Sequence, residues 1–225
     1  MDTDVEQNND HDRYLTARLY GGDQETRIQQ EIFLGIGGIR TLEALGIKAT
    51  VYHMNEGHSS FMGLELMRKL IQEHKIPFKQ AKEIVSSSSI FTTHTPVPAG
   101  NDVFPIHMID KYFGNFWGLL GISRHEFLDL GLRIGEHQNF NMTVLALNLS
   151  GRKNGVSELH GAVSRNIFNN VWPGLPEEDV PITHVTNGIH TLTWLSPSIK
   201  HIFDKYLDAD WKERLYDKSV WDKVN

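Results

Sequence analysis

The sequence predicts an α/β protein built on a parallel sheet, and three observations carry that expectation. Short β-branched runs alternate with helix-period stretches along the chain, the order that βαβ units produce. Three of the expected strands end in polar, turn-prone segments, Asn55-Glu56-Gly57-His58, Thr93-His94-Thr95 and Thr186-Asn187-Gly188, as strands do when their carboxyl ends open on a cleft. Hydrophobic residues make up 40% of the 225 positions and charged residues 22%, an ordinary globular composition with enough apolar surface for a sizeable core.

Each element has a local reason. Residues 1–14 are polar and read as loop, and Gly21-Gly22-Asp23 is a turn signal. A helix is expected over 25–45, because Ile28, Ile32 and Ile36 recur at helical spacing and Gly46 can cap its end. Gly35, Gly37 and Gly38 interrupt it. Each glycine costs a helix about 1 kcal/mol against alanine, and close packing against a sheet is the expected compensation. Residues 49–54 read as a strand, followed by a helix near 60–74 capped by Ser59 and another from Phe78. Residues 89–93 are the second strand. Helices are then expected at 105–120, rich in aromatics, and at 123–130, 141–150 and 155–168. Residues 181–186 form a third strand, and Ser196-Pro197 opens a last helix, since proline is tolerated at the first helical position.

Composition removes several functions. The net charge is -6 and the Lys and Arg residues form no stripe, so the electrostatic footprint of a nucleic-acid partner is missing. There is no cysteine, which excludes disulfides, Cys-held zinc and Cys nucleophiles together and suits a cytoplasmic location. No apolar run approaches the ~18 residues of a membrane helix. Residues 1–12 lack the basic start and apolar stretch of a signal peptide. Neither a membrane nor a nucleic acid is expected as a partner.

In open parallel sheets, ligands bind outside the carboxyl ends of the strands. The three strand-end segments are therefore expected to converge on one cleft, where Asn, Glu and His side chains can bond several hydroxyls of a polyhydroxyl ligand at once. Other roles stand beside this one: a backbone bond for His94, a packing role for His58, a simple turn at Asn187-Gly188. Glu56 points most sharply to function, because a carboxylate in a strand-end loop otherwise faces water. Among 12 histidines there is no His-x-x-x-His pair with an attendant Glu and no His-x-His. A zinc site from His58, His94 and His190 is the one arrangement left, and no metal is expected. Neither a dinucleotide loop after a strand nor a Gly-x-Ser-x-Gly elbow is present.

Five blocks go further than periodicity. They are Leu19-Tyr20-Gly21-Gly22-Asp23 with Glu25-Thr26-Arg27-Ile28-Gln29-Gln30-Glu31; Val51-Tyr52-His53-Met54-Asn55-Glu56-Gly57-His58-Ser59; Phe91-Thr92-Thr93-His94-Thr95-Pro96-Val97-Pro98-Ala99-Gly100; Asn154-Gly155-Val156-Ser157-Glu158-Leu159-His160; and Thr186-Asn187-Gly188-Ile189. In this order they resemble the α-glucan (glycogen, starch, maltodextrin) phosphorylases, most closely the shorter bacterial and archaeal class.

That resemblance implies a Rossmann-like parallel sheet with flanking helices, part of the N-terminal domain of a glycosyltransferase-B fold. It implies transfer of a terminal glucosyl unit of an α-1,4-glucan or maltodextrin to inorganic phosphate, giving glucose 1-phosphate. It also implies pyridoxal phosphate in the full-length enzyme, held by a lysine beyond Asn225, and a homo-oligomer. Tyr20, Asp23 and Arg27 resemble positions lining the glucan channel. Glu56 and His58 resemble an acidic residue and a histidine near the acceptor sugar, and Asn187 an asparagine that bonds the reacting glucose. With His94 these form the expected substrate-binding set. Residues 1–225 are thus expected to be a partial N-terminal, glucan-binding domain, with upstream strands and the cofactor domain outside the chain and no catalytic residue within it. The chain by itself is expected to hold no cofactor and to be inactive. A non-catalytic glucan-binding module and a sugar-nucleotide-dependent glucosyltransferase are the competing readings.

Overall fold

The structure is a computed structural model, and it describes residues 1–18, 21–97, 100–133 and 138–224. The chain divides into two compact units, Met1–Thr186 and Asn187–Asn225.

The first unit opens with a single helical turn, α1 (Asp10–Arg13), capped by the Asn9 side chain. A long helical rod follows in three parts: α2 (Gln24–Ile32), a π-helical turn at Phe33–Gly37, and α3 (Gly38–Ala44). The expected helix is therefore present, with one widened turn where the glycines cluster. The reason for Gly35 differs from the expectation. A Cβ there would stand 2.8 Å from the Met62 backbone nitrogen and 3.0 Å from the Phe61 Cβ. At Gly35 the rod thus packs on the start of another helix, α4 (Phe61–His74), rather than on the sheet. The rod ends as expected: Gly46 adopts φ +68°, and the Gly46 and Ile47 N–H groups bond the Glu43 and Leu42 carbonyls at 2.9 Å each, a glycine-terminated helix end.

Strand β1 (Tyr52–Asn55) leads through a 3-10 turn at Gly57–Ser59 into α4. No serine side chain caps α4. Instead the buried Ser60 hydroxyl donates to the Gly57 and Met142 carbonyls, which pins the strand-end turn from below. Then come α5 (Phe78–Ser88) and β2 (Ser89–Thr93). A short antiparallel pair, β3 (Val103–Pro105) with β4 (Asn139–Asn141), carries no sequence signal; Val103 pairs with Asn141. The aromatic stretch is two helices, α6 (Ile106–Phe113) and α7 (Phe116–Leu120), parted at Gly114-Asn115. This break lets Phe113 and Phe116 both pack on Phe127, with centroids at 5.6 and 6.5 Å. Phe127 belongs to α8 (Arg124–Leu128), which starts with a reciprocal capping box between Ser123 and Glu126. Next come α9 (Met142–Asn148) and β5 (Arg152–Gly155), then α10 (Glu158–Phe168) and β6 (Thr183–His184).

The main sheet has the order β1-β2-β5-β6 with every neighbouring pair parallel. Asn55 lies opposite Thr92, Thr93 opposite Gly155, and Gly155 opposite His184. The strands ending at residues 55, 93 and 184 therefore share one carboxyl edge. The third expected strand, 181–186, is β6 and has shrunk to its middle. A strand absent from the expectation, β5, stands between it and β2. One apolar cluster gathers the helices around Phe61, Phe113, Phe127 and Phe140. Another packs Ile39, Met54, Phe91 and Ile182 along the sheet. Burying side chains of this size contributes about 1.5–3 kcal/mol each.

The second unit contains α11 (Thr191–Trp194) and α12 (Pro197–Tyr206). The latter opens on Ser196-Pro197 as the sequence predicts, with the serine oxygen accepting from the Ile199 N–H. Its core is Leu207, Trp211 and Val220. Phe203 meets Trp211 edge-on at 5.3 Å, and the Trp211 indole donates to Asp204 at 3.1 Å.

Candidate functional site

At the carboxyl end of β1 the chain turns through Glu56, whose φ of 65° and ψ of 177° fall in a region held by glycine and costing other residues about 1–3 kcal/mol. Three bonds hold the turn. The Glu56 N–H donates to the Thr92 carbonyl at 2.9 Å. Its Oε1 accepts from the His94 N–H at 2.5 Å and the Thr95 hydroxyl at 2.9 Å. The carboxylate therefore ties the end of β1 to the segment after β2. Gly57 allows the next step, since a Cβ there would meet the Met142–Thr143 backbone at 3.1 Å.

An open groove of about 430 Å³ lies at this edge, lined by Arg27, Glu56, His58, His94, Thr95, Gly100 and Asp102. Behind it stands an ion cluster. Arg27 and Glu31 sit four residues apart on α2 and so share a helix face. The Arg27 Nη2 lies 2.9 Å from Asp102 Oδ2, 3.2 Å from Glu31 Oε1 and 3.3 Å from His58 Nδ1. His58 Nδ1 lies 2.8 Å from Asp102 Oδ2 and 3.8 Å from Glu31 Oε1. The Glu31 side chain is only 2% exposed, and its Oε2 is buried with no hydrogen-bond partner.

Burial pushes the Glu31 carboxyl up to about 8, against the opposing pull of His58 and Arg27. For Asp102, burial also opposes ionisation. Hydrogen bonds from His58 and Glu31 and the Arg27 charge outweigh it, and hold the group down at about 2. The hydrogen bond to Asp102, then that to Glu31, raises His58 to about 9 against its burial. At neutral pH the cluster thus carries Arg27 and His58 as cations, Asp102 as anion and Glu31 protonated. An ionised carboxylate accepts but does not donate, so the short contact assigns a proton to His58 Nδ1.

The ligating atoms of Glu31, His58 and Asp102 lie within 4.8 Å of one another, near enough to suggest a metal. The Arg27 guanidinium, however, approaches all three at 2.9 to 3.3 Å and fills the cationic position itself. A protonated Nδ1 is no ligand either.

The structure brings four of the expected residues, Arg27, Glu56, His58 and His94, to one groove. Asp23 is exposed and caps α2, accepting from the Thr26 N–H at 2.9 Å and hydroxyl at 3.0 Å; it does not line the groove. Tyr20 lies outside the described residues. Asn187 is the first residue of the second unit. The sequence reading missed Glu31 and Asp102. The spacing of Arg27 and Glu31 on one helix face was a usable signal for the first. Nothing local marks the second.

The fold is an open parallel α/β sheet, the class in which ligands bind outside the carboxyl ends of the strands, and here that edge carries a groove of cationic and acidic side chains. Residues 25–220 match the model of the carbohydrate phosphorylase family, and the chain belongs to that family. It is 41% identical over 221 residues to the maltodextrin phosphorylase of Thermococcus litoralis, covering 98% of this chain and 26% of that protein. It is 42% identical over 236 residues to the glycogen phosphorylase of Mycobacterium tuberculosis, covering 100% of this chain and 27% of the relative. The glycogen phosphorylase of Aquifex aeolicus is 34% identical over 225 residues, with 100% and 32% covered. The chain thus spans between 26% and 32% of the length of these relatives. The family read from the five sequence blocks is the one these comparisons identify.

Proposed function

We propose that this chain forms a glucan-binding wall of an α-1,4-glucan phosphorylase, which passes a terminal glucosyl unit to inorganic phosphate and gives glucose 1-phosphate. The observation that carries the reading is the convergence of Arg27, Glu56, His58 and His94, from separate segments of a phosphorylase-family chain, on one groove. A sugar hydroxyl both donates and accepts. Guanidinium and imidazolium donors facing carboxylate acceptors can engage neighbouring hydroxyls on one ring. Because Arg27 and His58 are fixed by an ion cluster and Glu56 by the ends of two strands, the groove offers these groups already oriented, which reduces the ordering cost of binding. Asp23 supports the groove through the start of α2, and Tyr20 and Asn187 complete the proposed glucan set.

Residues 1–225 belong, on this reading, to an N-terminal glucan-binding part, and the phosphate-handling chemistry belongs to the longer protein. Pyridoxal phosphate would there supply a phosphate group for proton transfer. Among the described residues that line the groove there is no lysine. The half-buried Lys153, whose pKa is lowered by burial and by Lys82, donates to the Ser150 carbonyl and lies over the Trp172 ring. These residues do not fit the cofactor's anchoring amine. Among the described residues no helix is long and apolar enough to cross a membrane.

Calorimetric titration of the 225-residue chain with maltoheptaose tests the reading, with a β-1,4-linked glucan as control. Binding of maltoheptaose alone, weakened about tenfold or ~1.4 kcal/mol by Arg27→Ala, is the expected result. A folded chain that binds neither sugar overturns it. The chain by itself is expected to release no glucose 1-phosphate from maltodextrin and phosphate, and turnover above a blank contradicts the assignment of the chemistry to the longer protein.

A further inference from the structure

Two carboxyl groups, Asp102 in the groove lining and Glu31 buried beside it, are not by themselves required by the glucan reading. A single Asp102 oxygen reaches His58 Nδ1 at 2.8 Å and Arg27 Nη2 at 2.9 Å. Glu31 Oε1 approaches the same Arg27 nitrogen at 3.2 Å. Glu31 is buried and leaves its other oxygen unpartnered, an arrangement that costs folding free energy. Carboxyl groups kept so expensively beside two groove residues point to a job done through those residues.

We propose that Asp102 and Glu31 are positioning residues of the glucan groove: Asp102 fixes the ring and the Nδ1–H form of His58, and Glu31 holds the Arg27 guanidinium from behind. The pairing of an imidazole N–H with a carboxylate sets which ring nitrogen carries the proton and which way the ring faces. Asp102 reaches the cluster from the segment before β3, 44 residues from His58, while Glu31 is braced one helical turn from Arg27. Each half of the groove pair thus has its own support. The titratable groups that face His58 are Arg27 and Glu31 from α2, Asp102 from the segment before β3, and Glu56 and His94 across the groove; Arg18 lines the adjoining depression. Of these, Asp102 is the ionised acid in contact with the ring. The role in glucan binding rests on the proposed function; the positioning itself rests on the distances.

The test is a ring-nitrogen NMR titration of His58 in the 225-residue chain, paired with maltoheptaose calorimetry, for wild type, Asp102→Asn and Glu31→Gln. Wild-type His58 is expected to titrate near 9 as an Nδ1–H ring. Asp102→Asn is expected to move the midpoint toward the ordinary imidazole value of about 6.5 and to populate the Nε2–H form. Its maltoheptaose affinity should fall about tenfold at about pH 8 yet stay within about twofold of wild type at about pH 5.5, where the ring is protonated in both. A merely structural role would lower binding equally at both. Glu31→Gln is expected to keep the His58 tautomer and weaken binding at both pH values. Should Asp102→Asn lose its native amide spectrum, Asp102→Glu replaces it: a displaced charge keeps the midpoint raised but weakens binding. An unchanged His58 midpoint and tautomer in Asp102→Asn overturns the proposal. His58 titrating as stated in a wild type that binds no maltoheptaose overturns the glucan reading and leaves the positioning intact.

Discussion

Replacing Glu31 with glutamine removes one titration from the interior of the ion cluster at nearly constant shape. Folding raises this carboxyl from its ordinary 4.5 to about 8, so the folded chain keeps a proton that the unfolded chain releases. The stabilisation this represents is fully present below about 4.5 and is lost as pH rises through about 8. Integrated between about pH 5.5 and about pH 8, the loss is about 3 kcal/mol. With the side chain 2% exposed, solvent does little to screen it. The glutamine variant has no such loss, but its amide leaves a buried polar atom unpartnered at every pH, at about 1–2 kcal/mol. The two proteins should therefore be similarly stable near pH 5.5, and the variant more stable by about 3 kcal/mol near pH 8. His58, raised by folding chiefly through Asp102 and then Glu31, loses stabilisation across its own window from 6.5 to about 9 in both proteins, and by less in the variant. Urea midpoints followed by circular dichroism at the two pH values measure the difference. A wild-type-minus-variant gap that is the same at both would show that Glu31 is ionised in the folded chain and refute the charge assignment.

Other perturbations separate packing from binding. Gly35→Ala sets a methyl group 2.8 Å from the Met62 nitrogen and should destabilise the chain by about 1–3 kcal/mol in a thermal melt. Glu56→Gly relieves a φ of 65° but removes the carboxylate bonds to residues 94 and 95, so stability should change by less than about 1 kcal/mol while maltoheptaose binding disappears from calorimetry. Ser123→Ala breaks the capping box of α8 and should cost about 1 kcal/mol in urea with maltoheptaose affinity unchanged.

Sequence legibility followed the range of the forces involved. Strand β2 could be read because Ile90, Phe91, Thr92 and Thr93 are apolar or β-branched, and β1 because Thr50 and Val51 lead into Tyr52; their polar ends located Glu56, His58 and His94. Strand β5, Arg152-Lys153-Asn154-Gly155, has no apolar pattern. It is a strand because β2 and β6 flank it with ladder partners on both sides, which is a tertiary cause. The β3–β4 pair, three residues per strand, is equally invisible locally. Asp102 follows the same rule, since its value comes from a histidine 44 positions away. At Gly35 periodicity registers a need for close approach without naming the neighbour, which is the first turn of α4 and not the sheet.

The widened turn at Phe33–Gly37 also governs how this segment tolerates changes of length. An α-helix advances about 100° per residue, and a π turn holds one residue more than an α turn. The two ends of the rod are therefore indexed to different neighbours: Arg27 and Glu31 to the ion cluster, Ile39 to the cluster along the sheet and Arg40 to Glu65 at 2.9 Å. Deleting one residue between 33 and 37 would restore an uninterrupted α-helix and turn everything downstream by about 100°, withdrawing Ile39 from its seat and Arg40 from its acid. Single-residue gaps between this chain and its relatives are consequently least tolerable where the helix looks most irregular, because the irregularity is what lets one rod serve two clocks.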